Sequence, residues 1–360
     1  MKEININTSK HYNVLIEEGL LAKAGEELAR IHPPSSGSKL CLVCDSTVHR
    51  LYGGENMPLC ASLLKAGFDV YIYVLMPGEQ NKNLAAVEDL TGFLSAKDFS
   101  RSDLVAALGG GVTGDITGFA ASVFMRGIPY VQIPTSLLAA ADSSVGGKTG
   151  INTAAGKNML GTFRQPELVI FDPETLNTLP EEELLNGLGE IIKCAFIADE
   201  TILDSIHGSL PEAAAKAIQV KKNIIEKDER DEGERQLLNL GHTIGHAIEK
   251  CSAYSISHGR AVISGMYLIS LAADGLGWSD EPVAPRIKAL MDAFGFEPIN
   301  DFPAEALAAA ALHDKKRSGD SITIAYPDRP GHSALKNIPA AQLKSLISYG
   351  LNGGRFTDGN

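Results

Sequence analysis

Leu104-Val-Ala-Ala-Leu-Gly-Gly-Gly-Val-Thr-Gly-Asp115 runs from a short apolar strand through three glycines into a helical pattern at Ile116–Val123. A strand that turns through glycine into a helix is the repeating step of an α/β sheet. Successive glycines let backbone N–H groups approach a phosphate closely, and the helix N-terminus adds its positive end. The spacing is not the GxGxxG fingerprint, and it lacks the Lys-Ser/Thr of a P-loop. Alone, the triplet reads as well as a tight strand–helix turn.

Neighbouring runs give that turn its context. Strand-like segments at Tyr12–Ile16, Lys39–Cys44, Val70–Val74, Asp103–Leu108, Tyr130–Ile133 and Leu168–Phe171 alternate with helical patterns. Such alternation predicts βαβ units and a largely parallel sheet. Asp45 ends one strand, and Pro77-Gly-Glu79-Gln-Asn-Lys82 follows another. Pro134-Thr135-Ser136 follows a third. Singly, Asp45 or Glu79 reads as a turn residue. Together with the glycine turn, these loops would line the carboxyl ends of parallel strands, where open α/β sheets bind dinucleotides.

From about Leu179 the pattern becomes helical, through Glu181–Ile197, Pro211–Lys227, Glu234–Lys250, Arg260–Leu276 and Ala284–Phe294. A short hairpin is expected at Ser321–Tyr326. The expected domains are 1–178 and 179–350, with a frayed tail at 351–360. Within the helical half, Leu238-Asn-Leu-Gly-His-Thr-Ile-Gly-His-Ala-Ile-Glu249 places His242 and His246 on one helical face. His258 follows, and Glu190 with Lys193 offers a carboxylate and an amine on consecutive turns. Imidazoles plus a carboxylate suit a catalytic divalent metal with an open position.

The formal net charge of −12 argues against nucleic acid or an anionic membrane as partner. No apolar run is long enough to span a bilayer, and the start, Met-Lys-Glu-Ile-Asn-Ile-Asn, has no apolar signal core. A cytoplasmic location is expected. Five cysteines show no framework spacing, and Cys41-Leu-Val-Cys44 lies in a buried strand, so its thiols read as core. Within this acidic chain, basic residues gather in Asp142-Ser-Ser-Val-Gly-Gly-Lys148, Gly-Lys157-Asn158, Lys193, Lys221, Arg235 and His313-Asp-Lys315-Lys316-Arg317. Lys193 sits in an apolar frame one turn after Glu190, which suits a small, multiply anionic substrate rather than a solvated surface.

Taken in order, these segments resemble the 3-dehydroquinate synthase family over nearly the whole chain. The resemblance rests on Gly-Glu79-Gln-Asn-Lys82, Gly-Gly-Gly-Val-Thr-Gly-Asp115, Met125-Arg126-Gly, Asp142-Ser-Ser-Val-Gly-Gly-Lys148, Gly-Lys157-Asn158, Glu190-Ile-Ile-Lys193 and Asp228-Glu-Arg. It continues through the Leu238–Glu249 stretch, His258-Gly and His313-Asp-Lys-Lys316. It implies an α/β N-terminal Rossmann-like NAD-binding domain, an all-α C-terminal metal-binding domain and a homodimer. It implies Glu190, His242 and His258 as ligands of Zn2+ or Co2+, with His246 a substrate or outer-sphere group. NAD would be held by Asp45, Glu79, Lys82, Gly110, Gly111, Val112, Gly114, Asp115, Thr135, Ser136, Lys148, Lys157 and Thr178. Substrate contacts would be Asp142, Lys148, Asn158, Lys193, Lys221, Arg235, Asn239, His246 and one or both of Lys315 and Lys316. Arg126 would reach the phosphate of the neighbouring subunit's substrate.

The implied reaction converts 3-deoxy-D-arabino-heptulosonate 7-phosphate to 3-dehydroquinate and phosphate. NAD would be used catalytically: transient oxidation acidifies a C–H, phosphate leaves, the hydride returns and the opened ring closes by an aldol step. Ser136 stands where a second threonine is usual. Ala139-Ala-Ala141 replaces a common Gln-Val, and Thr153-Ala-Ala replaces His-Pro. None removes a charged group. The rivals are a cyclase making another carbocycle, a polyol dehydrogenase of the glycerol dehydrogenase type and an inactive NAD- or metal-binding regulator. The retained substrate residues, the many anion-binding groups and the intact ligand set respectively speak against them.

Overall fold

The structure is a computed structural model that describes residues 1–312, 317–318 and 320–355. The chain divides into two compact units, Met1–Pro180 and Glu181–Asn360.

The first unit is built on a sheet of β1 (Lys2–Asn7), β2 (His11–Ile16), β3 (Lys39–Asp45), β4 (Asp69–Leu75), β5 (Leu104–Gly109), β6 (Tyr130–Pro134) and β9 (Leu168–Phe171). Its order is β1-β2-β9-β6-β5-β3-β4. Only β1 runs antiparallel to its neighbour; the other pairings are parallel. Continuous apolar strands such as Leu104–Gly109, buried at every position, require cover on both faces. On one face Leu40, Leu42, Cys44, Leu104 and Leu108 pack with Leu28, Leu59 and Leu63 of helices α1 (Ala24–Ile31) and α2 (Pro58–Lys65). On the other, Cys41, Val43 and Val105 pack with Leu90 and Ile116 of α3 (Leu84–Ala96) and α4 (Gly111–Val123). Cys41 and Cys44 therefore belong to opposite faces, and burial pushes both thiols up, Cys44 to about 12. They are core residues, as the strand pattern predicts.

This topology sets the ligand-binding edge. The chain leaves β3 over one face and β5 over the other, although β3 and β5 are adjacent. The crevice at their carboxyl ends is a topological switch point. Asp45 closes β3, and Gly109 closes β5.

Between β6 and β9 the glycine-rich segment is not a loop system as its composition suggests. It forms a hairpin of β7 (Lys148–Thr153) and β8 (Gly156–Phe163). Glycine conceals the strands because Gly150 and Gly161 face each other where no side chain fits. A Cβ on Gly161 would lie 2.3 Å from the Thr149 carbonyl oxygen.

The second unit is mainly helical: α5 (Glu181–Ile197), α6 (Ile202–Gly208), α7 (Leu210–Ile225), α8 (His242–Cys251), α9 (His258–Gly275), α10 (Ala284–Phe294), α11 (Ala304–Leu312) and α12 (Leu343–Leu351). It is not wholly α. Strands β10 (Arg317–Ser318), β11 (Ser321–Arg329) and β12 (His332–Pro339) form an antiparallel sheet, longer than the short hairpin expected from sequence. Pro330-Gly331, with Gly331 at φ +73°, makes the turn that joins its long strands. Leu351 closes α12, and Gly353 and Gly354 return their N–H groups to Gly350 and Tyr349. Residues 356–360 lie outside the described residues. Among the described residues, no helix is long and apolar enough to cross a membrane.

The expected helix Glu234–Lys250 is two elements. Glu234–Asn239 is a 3-10 turn, and α8 begins at His242 after Gly241, which is left-handed at φ +77°. A Cβ on Gly241 would lie 2.4 Å from the Val262 carbonyl oxygen of α9, so glycine permits both the break and the close helix approach. Helix α9 starts at His258, two residues before the periodicity suggests, which puts that histidine on its first turn.

Candidate active site

At the sheet edge of the first unit, several predicted residues form one network. Lys82 is buried, and its ammonium pairs with Asp115 at 2.5 Å and with Asn158 Oδ1 at 2.6 Å. Burial pushes the Asp115 carboxyl up, against the pull of Lys82. Glu79 Oε1 accepts from Asn152 Nδ2 at 2.7 Å, and Asn152 Oδ1 accepts from the Asn158 backbone N–H at 2.9 Å. The network joins the loop after β4, the first turns of α4 and the β7–β8 hairpin. Lys82 ties the three together, and Asn152 joins the hairpin to the Glu79 loop. The asparagine was not singled out from sequence, where it reads only as the end of a glycine-rich run.

The glycine turn is tighter than the sequence suggests. Helix α4 begins at Gly111 with Gly110 as its N-cap, so no side chain caps its first N–H groups. A Cβ on Gly111 would lie 3.1 Å from Ser143 Oγ, and one on Gly110 would lie 3.4 Å from Ser136 Oγ. A turn with this clearance and uncapped N–H groups fits a pyrophosphate. Val112 and Gly114 lie in the first turn of α4. Thr135 is buried, and its N–H donates to the Gly109 carbonyl at 3.0 Å. Asp45 accepts from the N–H groups of Thr47 and Val48. Thr178 Oγ1 lies 2.5 Å from the Tyr52 hydroxyl. Asp142 is half-buried after β6, Lys148 is exposed at the start of β7, and Lys157 is the second residue of β8. Arg126 is exposed on a turn in which it and Met125 are left-handed, at φ 67° and 48°. Arg101 Nε holds the Met125 carbonyl at 2.8 Å, and Arg164 Nη2 holds that of Ile128 at 2.9 Å.

In the second unit the structure gathers Glu190, Lys193, His242, His246 and His258. Glu190 and Lys193 are 1% exposed, and the Lys193 ammonium donates to Glu190 Oε2. Glu190 Oε1 lies 3.2 Å from His258 Nε2 and 3.6 Å from His242 Nε2. Close helix packing makes this convergence possible. A Cβ on Gly259 would lie 2.1 Å from the Asn186 carbonyl oxygen, so α9 crosses α5 against bare backbone. His242 Nδ1 donates to the Leu240 carbonyl at 3.1 Å, which turns Nε2 towards Glu190.

Burial alone would push Glu190 up, but Lys193 and His258 outweigh it and hold the carboxyl well below its usual range. Burial opposes charge on His258 too, yet Glu190 and Glu249 win and raise its pKa to about 10. A cation loaded here must therefore displace a proton. The ligand atoms of Glu190, His242 and His258 all lie within 4.8 Å of one another. Two imidazole nitrogens and one carboxylate oxygen at this spacing fit a divalent metal with a position left open. The structure adds a second grouping that shares one member: His246, Glu249 and His258. Glu249 was not assigned a role from sequence.

The cationic residues of this unit are buried as well. Arg235 is 2% exposed and Lys221 is 6% exposed. The Arg235 guanidinium donates to the Glu229 carbonyl, and its backbone N–H donates to Asp228 at 3.0 Å. Asp228 also takes the N–H groups of Glu232 at 3.0 Å and Gly233 at 2.7 Å, which shapes the turn leading to Arg235. Asn239 ends the same 3-10 turn, three residues before α8 begins at His242. Lys315 and Lys316 lie outside the described residues.

Comparison with known proteins adds an independent line. A family model described as 3-dehydroquinate synthase N-terminal matches residues 72–186, and one described as 3-dehydroquinate synthase C-terminal matches residues 187–317. The chain is 40% identical to the 3-dehydroquinate synthase of Streptococcus sanguinis, over 96% of this chain and 99% of that protein. Among solved structures it is similar to 2-epi-5-epi-valiolone synthase from Streptomyces hygroscopicus, solved with NAD+ and Zn2+ bound. There the TM-score is 0.83 at 26% identity, covering 97% of this chain and 99% of that one. It also shares its fold with a 2-deoxy-scyllo-inosose synthase complexed with carbaglucose-6-phosphate, NAD+ and Co2+. That TM-score is 0.84 at 24% identity, with 96% and 99% of the two chains covered.

Proposed function

The chain belongs to the 3-dehydroquinate synthase family, and from that premise we propose that it converts 3-deoxy-D-arabino-heptulosonate 7-phosphate to 3-dehydroquinate and phosphate. The observation that carries the proposal is the buried cluster of the second unit. Glu190 Oε1 stands before the Nε2 atoms of His242 and His258, in an acidic chain that nonetheless buries Lys193, Lys221 and Arg235. Three buried cations in one unit of an acidic chain suit a substrate with both a carboxylate and a phosphate better than a neutral polyol.

In this reading Glu190, His242 and His258 hold Zn2+ or Co2+. NAD lies along Asp45, Glu79, Lys82, Gly110–Asp115, Thr135, Ser136, Lys148, Lys157 and Thr178. When bound, the cofactor supplies a reversible hydride acceptor and the metal polarises the reacting alcohol. The protein's part is to bind, orient and stabilise charge. Lys193, Lys221 and Arg235 hold anionic oxygens in a desolvated site, where charge-assisted bonds are strong. As phosphate departs, the same cations stabilise the charge that builds on it. Lys193 is fixed for this by its ion pair with Glu190 one helical turn away. Asp142, Lys148, Asn158, Asn239 and His246 are the further substrate contacts. The enzyme acts in the cytoplasm as a homodimer, with Arg126 directed outward to the neighbouring subunit's substrate. A strained, braced turn at Arg126 supports that role, since strain persists where function needs a fixed geometry.

An assay that follows inorganic phosphate and NADH in parallel tests the reading. Phosphate should appear from the heptulosonate phosphate at sub-stoichiometric NAD+, without NADH accumulating. Accumulating NADH from glycerol or another neutral polyol, with no phosphate from the sugar acid, would replace the synthase with a dehydrogenase. The glycine turn has its own test. In Gly111→Val the added side chain presses on Ser143, so calorimetric titration should show NAD+ affinity reduced by at least about tenfold, or about 1.4 kcal/mol. Unchanged affinity in a folded Gly111→Val protein would remove that turn from the cofactor site.

A further inference from the structure

We infer that Glu249 is a positioning residue for the histidine–carboxylate cluster: it fixes the tautomer and ring plane of His258 and does not itself take the cation. The inference rests on the reading that Glu190, His242 and His258 hold a divalent metal.

Glu249 is 3% exposed, although it is a carboxylate near the end of α8. A buried carboxylate is retained only where something donates to it. Its Oε2 lies 3.3 Å from His258 Nδ1. The opposite ring nitrogen, Nε2, is the one that faces Glu190 Oε1. A carboxylate accepting at Nδ1 places the proton there and leaves Nε2 as the metal-facing lone pair, while making the imidazole a better donor. His242 has the same arrangement, with the Leu240 carbonyl in place of a carboxylate. Each imidazole of the set is thus oriented through its Nδ1, one by backbone and one by Glu249.

The spacing between Glu249 and His258 is set by backbone. Helices α8 and α9 meet where a Cβ on Gly265 would lie 2.1 Å from the Gly241 carbonyl oxygen. Two helices in backbone contact cannot drift apart, so the short Glu249 side chain has a fixed reach to the first residue of α9.

Glu249 could instead be a ligand, since His246, Glu249 and His258 also bring their donor atoms within 4.8 Å. That alternative uses the wrong side of the ring. A cation placed by Glu249 would take His258 through Nδ1 and abandon Glu190, a buried carboxylate already aligned with two Nε2 atoms.

The test uses the full-length protein, stripped of metal and titrated with Zn2+ and with Co2+. The parent should bind one cation per chain. Glu249→Gln, which matches the shape without the charge, should still bind one, with affinity lowered about 10- to 100-fold. Its Co2+ absorption bands should shift while keeping the intensity of the parent's coordination number. Glu249→Ala should weaken binding at least as much; if it fails to fold, the glutamine variant decides alone. Unchanged affinity and spectrum in folded Glu249→Gln would make Glu249 a packing residue and overturn the inference. So would two cations per parent chain falling to one in the variant, which would make Glu249 a ligand. A parent that takes up neither cation would overturn the metal reading itself and this inference with it. That failure is separate, because it appears before any variant is compared.

Discussion

Purified His242→Ala should contain no metal, whereas His246→Ala should keep its cation and lose turnover. The two histidines are equivalent by spacing, four residues apart on one helix. The structure separates them. His242 opens α8, turns Nδ1 to the Leu240 carbonyl and brings Nε2 to 3.6 Å from Glu190 Oε1. His246 lies one turn on, grouped with Glu249 and His258 rather than with Glu190. Removing His242 deletes one of three protein ligands, so the affinity loss should exceed the about 10- to 100-fold typical of an outer partner. Removing His246 should leave the three ligands in place. The readout is metal content per chain, supported by the melting temperature of each variant with and without added Zn2+. If His246→Ala emptied the site and His242→Ala stayed loaded, the cation would belong to the other grouping. Glu190 would then be only the counter-ion of Lys193.

Much of this arrangement is legible in the sequence, and where it is not the cause is physical. The parallel sheet can be read because strands covered on both faces are continuous apolar runs, and Lys39–Asp45 and Leu104–Gly109 are such runs. The β7–β8 hairpin cannot, because Gly150 and Gly161 remove the alternation that marks a strand. The break before α8 is hidden because helical periodicity runs unbroken across Leu240-Gly241. Only the backbone conformation of Gly241 reveals that α8 starts at His242. The distance along the sequence between Glu190, His242 and His258 is no obstacle to the resemblance that names them. Glu249 and Asn152 are different. A glutamate at a helix end and an asparagine after a glycine-rich run both look like surface residues. Their importance comes from partners that only packing supplies, His258 across a loop and Glu79 in another segment.

Arg235→Ala should lose most turnover on the heptulosonate phosphate while NAD+ binding stays near that of the parent. The guanidinium is 2% exposed, fixed through Nη1 to the Glu229 carbonyl and through its backbone to Asp228. A cation held this rigidly and this far from water contributes most when an anion arrives opposite it. Truncating one side of such a contact costs about 2–5 kcal/mol. At 1.4 kcal/mol per decade, this lowers kcat/KM by about 30- to 4,000-fold. Arg235→Lys keeps the charge but loses the planar fork, so it should recover only part of the loss. Lys193→Ala should lose turnover comparably, with a second consequence. Lys193 is one of the two groups, with His258, that hold the buried Glu190 carboxyl low. Without it, burial pushes Glu190 up, and one ligand becomes harder to deprotonate. Metal retention should therefore weaken in Lys193→Ala and stay intact in Arg235→Ala. Breaking a buried pair also costs about 3–5 kcal/mol, so Lys193→Ala should melt at a lower temperature than the parent. Equal metal content in the two variants would separate Lys193 from the metal cluster. Full turnover in Arg235→Ala would mean that the buried guanidinium serves only the turn that carries it.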